Sequence, residues 1–146
     1  MLALPRVLGY AGLIPQLACL GAVAWGGPEW RWVAPAIGWA YAALIFSFLG
    51  GMWWGVAAGA DARGAPLPAW LWIAAVAPAL VALFSFLPWL YGHLWPGPSL
   101  VVLGLAIVVS PLVDRRLAGA VPRWWMPLRL RLSIGLGLAS IALGLH

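Results

Sequence analysis

The chain has 146 residues, of which 65% are hydrophobic and 8% charged, and its mean hydropathy is +1.01. A soluble domain with a wet surface does not reach these values, so the composition is that of an integral membrane protein. A spanning helix takes about 20 apolar residues, so five spans use most of the chain, which excludes a folded soluble catalytic domain and a nucleic-acid-binding module.

Eight arginines stand against Glu29, Asp61 and Asp114, with no Lys, Asn or Thr. In so apolar a chain the net charge of +5 points to loops held on the anionic, untranslocated side of a bilayer. The missing Lys, Asn and Thr point to GC-rich coding, hence to a bacterial inner membrane. The single Cys19 allows no disulfide and no thiolate metal site.

Proline marks the start of each apolar run, where its missing N–H costs little. Pro5, Pro35, Pro68, Pro98 and Pro127 give spans at 5–25, 35–60, 68–90, 98–117 and 127–145. The expected fold is an all-α, single-domain bundle of five transmembrane helices. Weak signal-peptidase and lipoprotein-box patterns end at Ala24 and Cys19 in the first span, which is expected to be a retained helix. In that span Pro15 frees the Ala11 carbonyl, and the amide of Gln16 either repairs the broken ladder or bonds across helices.

The second span carries Ser47, Gly51, Gly55 and Gly59 four residues apart, with Gly50 beside them. Between helices in lipid, close backbone approach through small residues replaces the hydrophobic force, so this span is expected at the centre of the bundle. The fifth span carries a similar seam of Ser133, Gly137, Ser140 and Gly144, and is expected to pair with the second span or with a second copy of the chain. Trp53 and Trp54 lie inside the second span, unlike the other ten tryptophans, which fit interfacial belts. With Gln16 and kinks at Pro15 and Pro78, they could line an apolar ligand pocket.

Asp114, at the end of the fourth span, is the acid nearest an arginine cluster and should find a guanidinium. Arg129 or Arg131 is the expected partner, with Arg115 adjacent, in an interfacial clamp between the fourth and fifth spans. Seven arginines fall at one face and Arg31 alone at the other, which places the N-terminus in the cytoplasm and His146 in the periplasm. His93 and His146 share the outer face without a supporting acid or cysteine, so no metal site and no cofactor are expected.

The stretch YAALIFSFLGGMWWG, Tyr41 to Gly55, resembles the signature helix of the family catalogued as domain of unknown function 3429. These are small five-helix membrane proteins with a mitochondrial transmembrane relative. LGYAGLIPQ (Leu8 to Gln16) is similar to that family's first helix, and Asp114-Arg115 with Pro122 to Leu130 to its fourth loop and fifth helix. The resemblance implies a fold and a membrane but no activity; the polar residue often found before the family's Trp-Gly pair is Trp53 here. A narrower resemblance, through Arg31 to Pro35, is to the tryptophan-rich sensory protein and translocator family, whose asparagine-bearing helices have no counterpart in this chain.

Intramembrane polar residues are Gln16, Ser47, Ser85, Ser110, Ser133 and Ser140, none ionisable, which weighs against an ion-coupled pump. No nucleophile-base pair, carboxylate pair or phosphate loop stands out. The expected function is non-enzymatic: a membrane interaction or assembly protein that packs through glycine-rich faces with itself or a larger membrane complex, in contact with membrane lipids. The alternative is a carrier or receptor for a lipid, quinone or porphyrin held between helices.

Overall fold

A computed structural model describes residues 3–146, and no strand occurs among them. The first span is α1 (Ala3–Ala11) followed by α2 (Ile14–Trp25); the second is α3 (Trp30–Ala62) and the third α4 (Trp70–Leu90). The fourth joins α5 (Gly97–Val109), α6 (Pro111–Asp114) and a run of 3-10 turns (Arg115–Ala120), and α7 (Trp125–Gly144) is the fifth. All five are long and apolar enough to cross a bilayer, so the chain is an all-α, multi-pass membrane protein.

The element breaks follow from proline chemistry. Pro15 cannot donate to the Ala11 carbonyl, and the helix parts at Gly12 and Leu13. The carbonyl of Gly12 is recovered by the Tyr41 hydroxyl, which donates to it at 2.6 Å and ties the break to α3. Pro111 frees the Ile107 carbonyl in the same way, and the hydroxyl of Ser110 donates to it at 2.7 Å. These side-chain donors do what water would do outside lipid.

Pro35 does not start the second span. α3 begins five residues earlier, at Trp30, and carries Pro35 in its second turn, where the proline removes one bond to Arg31 and leaves the helix intact. Over 33 residues the helix extends about 50 Å, well beyond the ~30 Å hydrocarbon core.

α3 is the central element, touching all four other spans. Its inward stripe of Ala34, Gly38, Ala42, Phe46, Leu49, Trp53, Ala57 and Ala60 is buried at helical spacing. Leu44, Phe48 and Gly51 on the opposite side are exposed, as a lipid-facing surface requires.

Within the chain the fifth span pairs chiefly with the fourth and less with the second, which corrects the first of the two expected pairings, with the second span or with a second copy. Reciprocal glycines account for this. Gly97 lies against Gly144 and Gly104 against Gly137, so two antiparallel helices meet backbone to backbone at two points seven residues apart.

Candidate functional site

The densest polar arrangement within the bundle is centred on Asp114, which is fully buried. Its Oδ2 accepts from Arg129 Nη2 at 2.9 Å and from Arg129 Nε at 3.2 Å. Its Oδ1 accepts from the indole N–H of Trp125 at 2.9 Å and of Trp53 at 3.3 Å. Arg129, only 7% exposed, also donates to Ser133 Oγ at 2.6 Å and to Ser110 Oγ at 3.1 Å. One ion pair thus joins α3, the fourth span and α7.

Local helix geometry assembles these groups. Trp125, Arg129 and Ser133 stand four apart on α7, and Ser110 and Asp114 four apart across the α5–α6 junction, so each set shares a face. That spacing is the signal by which Ser110, Ser133 and Trp125 could have been grouped with Asp114 from sequence. Trp53 carries no such mark, because only the fold brings α3 alongside.

A carboxylate offers about four acceptor positions, and Asp114 receives four donors. It retains no vacant acceptor for a proton in transit, and the arrangement acts as a clamp. Arg115 is exposed beside it, and Arg131 points away, its Nη1 donating to Tyr10 Oη at 3.4 Å.

Gln16, Trp53 and Trp54 do not form a common pocket. The Gln16 amide donates across helices to the Gly38 carbonyl at 3.0 Å and to Ser140 Oγ at 2.7 Å. Trp53 is held by Asp114, while Trp54 is 49% exposed and stacks edge-on with Trp72 at a centroid separation of 4.6 Å. The trio fails because residues 53 and 54 are about 100° apart around a helix, so one turns inward and the other to lipid.

The glycines of α3 also divide. Gly50 lies against the Ala75 carbonyl of α4. A Cβ at Gly51 or Gly55 would meet nothing within 4 Å, and one at Gly59 would meet only the Arg63 guanidinium. Ser47 is half-buried. Four-residue steps advance about 40° around the helix axis, so the row spirals from a partly covered position onto the outer surface and does not face the bundle interior.

The Trp belts are likewise not all lipid-facing. At the end opposite the arginines Trp39 donates to Ser85 Oγ at 2.9 Å, and its ring meets Phe86 and Trp95 at centroid distances of 5.5 and 5.2 Å. This aromatic cluster holds α3, α4 and the loop after α4 together.

An apolar groove of about 370 Å³ opens between α1, α3 and α7. Leu8, Leu13, Phe48, Met52, Leu128 and Leu132 form much of its wall, with Arg129 and Ser133 at its inner side. The sequence contained no direct sign of it, since it arises where α1 packs along α7 and makes little contact with α3.

Five apolar spans, a glycine-zippered pair and one buried ion-pair clamp define a small multi-pass helical membrane bundle. The family model described as protein of unknown function (DUF3429) matches residues 1–145, and the chain belongs to that family. No curated protein and no solved structure matches it.

Proposed function

We propose that the chain is a non-enzymatic assembly protein of the bacterial inner membrane, and that it docks through the outer Gly51–Gly55 face of α3. The observation that supports this reading is the open space at both glycines: a row of small residues that packs nothing in the monomer leaves backbone exposed to lipid, where a second helix could approach closely. Leu44 and Phe48, exposed beside it, offer flanking ridges. The partner is a second copy or a larger membrane complex.

The test is the Gly51→Leu/Gly55→Leu double variant, purified in mild detergent and examined by native mass spectrometry and crosslinking. Since a Cβ at either position meets no neighbour and both glycines face outward, the monomer should melt close to the wild type, while a homo-oligomer or co-purified polypeptide is lost. A wild type that runs alone, or a variant that keeps its partner, overturns the proposal.

The seven-to-one arginine asymmetry supports a cytoplasmic N-terminus and a periplasmic C-terminus. Alkaline phosphatase fused after His146 should therefore be active in intact cells, and inactivity would reverse the orientation. A second reading, a carrier or receptor for an apolar small molecule, draws on the groove between α1, α3 and α7. Its volume of about 370 Å³ lies within the ~300–1,000 Å³ of small-molecule sites.

A further inference from the structure

A second depression, of about 160 Å³, adjoins the groove at the arginine-rich end and is lined by Arg6, Tyr10, Trp124, Pro127, Leu128 and Arg131. Trp124 and Leu128 belong to both, so the charged depression continues into the apolar groove. Arg6 and Arg131 are exposed, and among the described residues the one ion pair is Arg129 with Asp114. Two guanidinium groups on one small concavity give it a positive potential that suits an anion, and among the described residues Arg131 reaches no acceptor there beyond the Tyr10 hydroxyl at 3.4 Å. Arg129, though it borders the groove, spends its bonds on Asp114, Ser110 and Ser133.

The dimensions fit a lipid. Groove-lining residues on α7 run from Trp125 to Leu136, which is about 17 Å along the axis and close to one leaflet of a ~30 Å core. Guanidinium forks match phosphate oxygens, and Tyr and Trp are at home at headgroup depth. A free phosphate would use the depression and leave the groove vacant, whereas a phospholipid uses both.

We infer that this composite site binds an anionic phospholipid, with its phosphate between Arg6 and Arg131 and one acyl chain along α7 in the groove. The inference rests on the small-molecule reading, which it deepens by naming a ligand class; its site shares Phe48 with the border of the Gly51–Gly55 face but neither glycine.

The test is native mass spectrometry of the full chain in mild detergent, titrated with phosphatidylglycerol or phosphatidylcholine of the same chain length. The wild type should retain one phosphatidylglycerol with at least about tenfold preference, and inorganic phosphate in the same excess should leave that lipid in place. The Arg6→Gln/Arg131→Gln variant should lose the preference. The Arg115→Gln/Arg116→Gln variant, which removes the same charge from exposed positions lining neither cavity, should keep it. Leu128→Trp, at the shared wall, should lower retention of both lipids. Equal retention of the two lipids by the wild type, displacement by phosphate alone, or equal losses in the two arginine variants would overturn the inference. Lipid binding that persists in the Gly51→Leu/Gly55→Leu variant separates this site from the assembly face. If phosphatidylcholine is held as well as phosphatidylglycerol, the small-molecule reading survives and the anionic specificity falls.

Discussion

Asp114→Asn should lower the melting temperature in detergent more than any other single polar substitution in the chain. It leaves the Arg129 guanidinium buried with its charge unneutralised and turns an amide donor or a weaker acceptor toward it. Removing one member of a buried pair costs roughly 3–5 kcal/mol, because the remaining charge stays out of water. The same substitution at Asp61, exposed at the end of α3, should fall within about 0.5 kcal/mol of wild type. The stronger check is the cycle with Arg129. Asp114→Leu/Arg129→Met removes both charges together and should recover most of the single-variant loss. Full recovery is not expected, since Trp53, Trp125 and the two serines lose partners with them. An unchanged melting temperature for Asp114→Asn would remove the clamp from the account of the fold.

The five spans were legible because bilayer thickness forces each to be long and apolar, and nothing else in 146 residues competes with that pattern. Their ends were less so. Proline is a start signal, yet Pro35 sits in the second turn of α3 and Pro68 two residues before α4. A missing N–H costs nothing in the first turn and a single carbonyl bond just after it, so proline locates the region and not the residue. The pairing of Asp114 was narrowed by sequence to Arg129 or Arg131. Residues two apart face opposite ways, and which one turns inward depends on how α7 is rotated. That rotation is fixed by Gly104 against Gly137, a contact between spans that no local pattern specifies. The indoles of Trp53 and Trp125 were hidden for a different reason. Trp125, near a span end, has a sufficient explanation in the interface itself, while Trp53 lies mid-span, and the N–H of either reveals its role only once an acceptor is placed.

The same uncertainty of rotation governs the glycines, and it makes them the sharpest test of the packing. Gly137→Ala should destabilise the bundle while Gly55→Ala should leave it unchanged or slightly more stable. At Gly137 a new Cβ would stand 2.8 Å from the Gly104 carbonyl oxygen and 3.2 Å from the Val108 backbone nitrogen. Those are backbone atoms of a packed helix and cannot swing aside, so α5 and α7 must separate, at a cost of about 1–3 kcal/mol. Gly137→Leu should prevent the folded protein from accumulating, since its added volume has no space between the two spans. At Gly55 nothing lies within 4 Å, and alanine there gains up to ~1 kcal/mol in helix propensity. Thermal melting of the two alanine variants in one detergent reads the difference directly. Opposite signs are expected because one glycine is needed for what touches it, whereas the other can be needed only for what a partner brings. Equal losses at both positions would mean that Gly55 also packs within the monomer, and the assembly face on α3 would have to be abandoned.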